Sequence, residues 1–426
     1  MHQRQDLMKS DLDALMEERG LDGLLVFGHA EHNPPMYYLT GGGHVSHATL
    51  IWTRGRTAAL FHNDMEREEA ARSGLTLISY SQYDYEAFLK QADGDPLHAN
   101  ALRYRAMLED VGLTTGRVGV YGTYDVSAVF GLLTRLRRLL PEVEFVGEPR
   151  EDSIFLRAME TKDEAEVERI RRMGQITTSV VERVRAYLTS RPVDESETLL
   201  REDGSPLTVG DVQARIRLWI AEQGAELPSG FIFAIGREAG IPHSTGTPSD
   251  PIRLGQTIVF DLYPAEAGGG YYYDFTRTWS LGYATPEAQE VFRQVKEIYD
   301  RLLNDFRPGQ PFREYHRLTC EYFEAKGHPT PLHTKAPLEG YVHSLGHGVG
   351  LNIHERPFSS LISSDDQQLR PGAVFTCEPG LYYPDRGLGV RIEDTLWMRP
   401  DGTVEVLVPY PYDFVLPMQG EGAGLR

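Results

Sequence analysis

The chain has 426 residues, 41% hydrophobic and 25% charged, the balance of a globular protein long enough for two domains. With 43 Lys and Arg against 62 Asp and Glu its formal net charge is −19, which repels nucleic-acid phosphates and anionic membranes, and no apolar run approaches the ~18 residues of a membrane span. Two cysteines, Cys320 and Cys377, exclude a disulfide framework and a cysteine-rich metal site, and they fit a reducing cytoplasm.

The first twenty residues lack the apolar stretch of a secretory leader and instead place Leu7, Leu12, Leu15 and Met16 on one side of an amphipathic helix, so no export signal is expected. Residues 23–28 predict a buried strand, and 48–52 with 57–61 predict a hairpin turned by Thr53, Arg54, Gly55 and Arg56. A strand at 75–80, a helix at 100–110, a strand at 117–121 and a helix at 127–140 complete an α/β layout. The basic runs at 135–138 and 169–172 have helical spacing and acidic neighbours, the pattern of solvated helix faces.

A second pattern begins at Thr161, read as a helix cap before the acidic turn of a helix over 162–189. The domain boundary is therefore set near Glu160, giving domains 1–160 and 161–426. Helices over 208–223, 286–305 and 312–326 alternate with strand-like blocks at 230–235, 256–263, 271–280, 374–381 and 389–398, an α+β domain.

Four of those blocks carry a carboxylate where an apolar pattern should continue: Asp261, Asp274, Glu378 and Glu393. A single strand carboxylate is explained by a structural hydrogen bond more readily than by a ligand role. Four of them repel strongly unless cations neutralise them. Residues 344–355, SLGHGVGLNIHE, add His347 and His354 in a glycine-rich run that suits neither a helix interior nor a plain strand, so the glycines serve bends or close approach.

An Asp in a strand, an Asp in its hairpin partner, GHGVG with His347, EPG with Glu378 and RIED with Glu393, in that order, resemble the metallopeptidases of the methionine aminopeptidase, prolidase and Xaa-Pro aminopeptidase group. The likeness runs over residues 160–415 and implies the pita-bread, or creatinase, fold. Residues ahead of 160 resemble the smaller creatinase-type N-terminal α/β domain of the prolidase and aminopeptidase P branch.

The resemblance implies two divalent ions held by Asp261, Asp274, His347, Glu378 and Glu393, with Asp274 and Glu393 bridging. It implies a metal-bridging hydroxide as nucleophile and Glu378 as general base. The carboxylate-rich donors favour Mn, with Co or Zn as alternatives, over copper. His243 and His354 match residues that contact the scissile peptide and stabilise the tetrahedral intermediate, with His354 across the substrate from His347. His343 matches a pocket histidine, and Arg391 a partner that orients a carboxylate.

His316, His328 and His333 receive no role, Cys377 reads as a small core residue, and Tyr271, Tyr272 and Tyr273 as strand packing. Two departures stand out: bulky Leu262, Tyr263 and Pro264 follow Asp261, and the Asp261–Asp274 interval of 13 residues is longer than the group's usual spacing. The expected function is a cytoplasmic, homodimeric exopeptidase acting on short peptides at Xaa-Pro bonds. The alternatives are a carboxypeptidase-like peptidase of the same fold, another C–N hydrolase such as creatinase, and a non-catalytic peptide-binding module.

Overall fold

The computed structural model describes residues 10–419. They divide into two compact units, one running to Met159 together with Gly268–Gly270, the other comprising Glu160–Ala267 and Tyr271 onward. Among the described residues no helix is long and apolar enough to cross a membrane.

In the first unit six strands form one sheet in the order Thr76–Ser79, Ala59–His62, Ala48–Thr53, Gly23–Gly28, Gly116–Gly122, Val143–Val146. The expected hairpin is present, closed by the Arg56 N–H donating to Thr53 O at 2.9 Å with Gly55 at φ 74°. Leu25, Phe27, Ile51 and Phe61 from the sheet pack with Met107, Leu108, Leu132 and Leu136 from helices Pro96–Asp110 and Val126–Leu139. The former helix starts earlier than its apolar spacing predicts. Asp95 accepts from the N–H groups of Leu97 and His98, and Pro96 occupies the first turn, where its missing N–H costs nothing. In helix Ser10–Glu18, Leu12 and Met16 are buried and Leu15 half-buried, while Leu7 lies outside the described residues.

The second unit carries helices Glu164–Thr189, Val209–Glu222, Pro286–Asp305 and Phe312–Ala325 against largely antiparallel sheets, the expected α+β arrangement. The long helix is capped by Asp163 and not by Thr161. Asp163 and Glu166 each accept the other's backbone N–H at 2.8 Å, a reciprocal box that takes up two otherwise unpaired donors. Phe375 is enclosed edge-on by Phe306 at 5.3 Å and Phe312 at 5.4 Å, which fixes the two later helices on the sheet.

Three expected strands are interrupted, each beside a carboxylate. The block 271–280 is strand only over Thr276–Leu281. The Tyr272 and Tyr273 N–H groups donate instead to Gly350 O and Pro264 O, so Asp274 sits ahead of the strand. The block 374–381 splits into Val374–Cys377 and Gly380–Tyr383, and the block 389–398 into Leu388–Arg391 and Asp394–Met398. At Glu378 and Glu393 the chain therefore leaves one sheet for another, and Pro379, which has no N–H to continue a ladder, marks the first crossing.

The glycines of residues 344–355 are required by close approach. A Cβ on Gly346 would lie 2.2 Å from Thr376 O, and one on Gly348 1.9 Å from Arg356 O, both backbone atoms with no rotamer to escape through. Gly348→Ala is expected to cost about 2–3 kcal/mol, whereas Gly147→Ala, with open space around the site, should change stability by less than ~0.5 kcal/mol. Urea unfolding of the two variants checks this, and equal midpoints would contradict the packing argument.

Candidate metal centre

Two antiparallel strand pairs each deliver two carboxylates to one end. Asp261 ends strand Thr257–Asp261, which pairs with Thr276–Leu281, and Asp274 lies just ahead of that partner. Glu378 follows Val374–Cys377 and Glu393 precedes Asp394–Met398, strands in register at Cys377 and Asp394. The pairs meet at one bridge, where Thr276 N–H donates to Glu393 O at 3.3 Å and Glu393 N–H to Thr276 O at 3.1 Å.

Two threonines lock this junction reciprocally. Thr276 donates its hydroxyl to Glu393 Oε2 at 2.7 Å, while Thr395 donates to Asp274 O at 2.8 Å and accepts from Asp274 N–H at 3.1 Å. Each threonine stands two residues after a carboxylate, in Asp274-Phe275-Thr276 and Glu393-Asp394-Thr395, a repeated spacing that sequence reading passed over. Buried Arg277 fixes the same junction from behind, donating to Glu393 O and Asp394 Oδ1, each at 2.9 Å. Arg391 Nη2 donates to Asp261 Oδ2 at 2.6 Å.

His347 enters from the strand pair His347–Gly348 with Glu355–Phe358. Its Nδ1 lies 3.0 Å from Gly348 O, so that nitrogen carries the hydrogen and Nε2 presents a lone pair. Nε2 is 3.6 Å from both Asp274 Oδ2 and Glu378 Oε1. Burial, reinforced by the neighbouring His354, pulls the His347 pKa down to about 3, so the ring is neutral, the form that ligates metals.

Asp274, His347 and Glu393 each offer a donor atom within 4.8 Å of one another and are buried, with Glu378 and Asp261 beside them. Asp261 Oδ1, Asp274 Oδ1 and Glu393 Oε1 are buried without a hydrogen-bond partner. Buried anionic oxygens left unpaired are costly, and a divalent cation is the partner this donor set fits. Burial pushes the pKa of Asp274 well up, with Asp261 and Glu378 adding to it, and burial, then Asp274 and Glu378, does the same to Glu393. Glu378, although 15% of its side chain is exposed, is raised by burial to about 8 against the partly offsetting Arg391.

The remaining histidines divide. His243 and His354 are exposed, and Arg391 Nη1 donates to Pro242 O at 3.3 Å, which ties the His243 loop to the centre. His354 is not separated from His347 by room for a substrate: the two rings are edge to face with centroids 4.3 Å apart. Both His343 nitrogens are engaged, Nδ1 by Ser344 O at 2.7 Å and Nε2 by the Tyr382 hydroxyl at 2.8 Å. Tyr382, which also accepts from Arg391 Nη1 at 2.7 Å, gave no signal in the sequence beyond its strand position.

Comparison with known proteins agrees with this geometry. Residues 168–400 match metallopeptidase family M24, and residues 9–148 match the creatinase/prolidase N-terminal domain. The chain belongs to metallopeptidase family M24. It is 27% identical over 401 residues to an Xaa-Pro dipeptidase of Pyrococcus furiosus, covering 93% of this chain and 97% of the relative. Among solved structures, an Xaa-Pro dipeptidase from Bacillus anthracis superposes with a TM-score of 0.73 at 22% identity, over 97% of this chain and 99% of that one. An X-Pro aminopeptidase from Thermotoga maritima gives 0.69 at 22%, over 96% and 99%. The pita-bread fold with a creatinase-like N-terminal domain is thus the fold of this M24 peptidase, and the non-catalytic alternative falls away.

The raised carboxyls couple metal binding to protons. A carboxyl whose folded pKa exceeds its unfolded value is protonated at no cost below the unfolded value and loses stability as pH climbs through the folded one. For Glu378 that window runs from 4.5 to about 8, and a cation removes the penalty. The rise in Tm on adding divalent metal to the metal-free M24 enzyme should therefore grow from pH 5 to pH 8, with proton release on binding. Calorimetry in buffers of different ionisation enthalpy measures both, and proton uptake would contradict the arrangement.

Proposed function

We propose that this metallopeptidase is an Xaa-Pro dipeptidase working with two divalent ions. The observation that most supports the metal part is the set of three buried, unpartnered carboxylate oxygens, on Asp261, Asp274 and Glu393, two of these residues lying in one cluster with His347. The substrate part is supported by the Pyrococcus relatives of that name, which align with over nine-tenths of the chain. In this reading Asp261, Asp274, His347, Glu378 and Glu393 would hold the ions, with Asp274 and Glu393 as the ligands they would share, and the oxygen-rich donors would favour Mn, then Co or Zn. Bound there, the ions would polarise the scissile carbonyl and acidify an attacking water.

The chain's own groups supply the proton traffic and the positioning. Glu378 takes the proton of the attacking water on a carboxylate oxygen and returns it to the departing prolyl nitrogen. That nitrogen carries no hydrogen in an Xaa-Pro bond, so it leaves as a neutral amine only if a proton reaches it. Exposed His243 and His354 face incoming peptide and donate to the carbonyl oxygen as charge builds on it. His343, its nitrogens already engaged, acts as a fixed wall of the pocket. We place the enzyme in the cytoplasm as a homodimer, where the buried thiols of Cys320 and Cys377 suit a reducing medium.

A panel of dipeptides and longer peptides, with free and blocked termini, incubated with Mn-loaded enzyme and read by mass spectrometry, tests this reading. Xaa-Pro dipeptides should be cleaved and end-blocked peptides spared; preferred release of a C-terminal residue from longer peptides would overturn it. His347→Ala should lose bound metal. His354→Ala should keep it and lose kcat on the order of 10²-fold, and Glu378→Gln should lose about 10³-fold.

A further inference from the structure

A buried ion pair stands directly behind His354. Lys162 Nζ lies 2.8 Å from Glu355 Oε2, with 1% and 0% of the two side chains exposed. The other oxygen, Glu355 Oε1, accepts from the Asn352 backbone N–H at 2.9 Å and from Asn352 Nδ2 at 3.2 Å. Gly350 N–H donates to Asn352 O at 3.1 Å, and Gly350 O accepts from Tyr272 N–H at 2.8 Å. The loop from Gly350 to Glu355 is thus closed on itself by one carboxylate and tied to the arch that carries Asp274.

The closure has no slack. A Cβ on Gly350 would lie 2.3 Å from Glu355 Oε2 and 2.8 Å from Lys162 Cε, so the glycine exists to let the pair reach under the loop. Lys162 is itself fixed, its N–H donating to Gly372 O at 2.9 Å just ahead of the Asp163 cap. An ion pair removed from water this completely gains little net stability over apolar residues of the same volume, so stability alone gives no reason for it. What it does supply is a single position for the loop, and His354 is the loop residue whose ring packs against His347.

We propose that the Lys162–Glu355 pair is a positioning device for His354, holding the Gly350–Glu355 loop closed so that the imidazole stays against His347 and aimed at the substrate. This rests on the role given to His354 in the proposed reaction. Neither Lys162 nor Glu355 touches substrate; both act through the histidine between the loop and the centre.

A double-mutant cycle combining Lys162→Met/Glu355→Leu with His354→Ala tests it, since that charge-free pair leaves no buried unpaired ion. The expected result is unchanged metal content, a kcat loss of about 10-fold or more with little change in KM, and no further loss when His354→Ala is added. In the metal-free protein the NMR resonances of the His354 ring, displaced by the adjacent His347 ring, should move to those of an unpacked histidine. If the charge-free pair does not fold, the same cycle and spectra with Glu355→Gln, which keeps an acceptor for Asn352, decide the matter. Additive losses in kcat or unmoved His354 resonances overturn the positioning role. A His354→Ala variant with wild-type kcat instead overturns the role of His354 itself.

Discussion

Like charge in a dry place is the constraint that organises the catalytic unit. Asp261, Asp274, Glu378 and Glu393 are brought together where burial and mutual repulsion raise the pKa of three of them. Protein groups answer only part of that charge: Arg391 pairs with Asp261, and Thr276 donates to Glu393. The rest is left as oxygens with no hydrogen-bond partner. A fold that holds such an arrangement must be stiff in its absence of cation, and the bridge at Thr276 and Glu393 with Arg277 behind it provides that stiffness.

Much of this was legible in the sequence because carboxylates interrupting apolar strand patterns are conspicuous. The same signal misled about where they sit. Apolar residues on both sides of Asp274, Glu378 and Glu393 suggested strands continuing through them, whereas each lies at a strand end or a crossing between sheets. The pattern reports burial, and these positions are buried whether or not the ladder continues. The helix cap was misplaced for a related reason: Thr161 and Asp163 are both good caps, and only the reciprocal bond to Glu166 selects the second.

What stayed hidden were the groups that orient the ligands. Arg277 and Thr395 touch the centre across large sequence separations, 116 residues for Arg277 and Glu393 and 121 for Thr395 and Asp274, and no local pattern encodes such a meeting; Tyr382 reaches the centre only through Arg391. The edge-to-face contact of His347 and His354 belongs to the same class. Six residues of irregular, glycine-rich chain separate them, and the distance between their rings depends on the loop closure beneath, which propensity does not address.

The order in which the carboxylates occur along the chain bears on how the centre is assembled. Asp261 and Asp274 come from one hairpin and Glu378 and Glu393 from another, with two helices and more than a hundred residues between the hairpins. Either hairpin alone gathers just two negative charges near solvent, an arrangement with little repulsion and weak attraction for ions. The full charge density arises only when the hairpins dock, which requires the long loop between them to close. The affinity for a cation is in that sense an indicator of completed folding: a partly assembled catalytic unit has neither the strain of four neighbouring carboxylates nor the means to retain what relieves it.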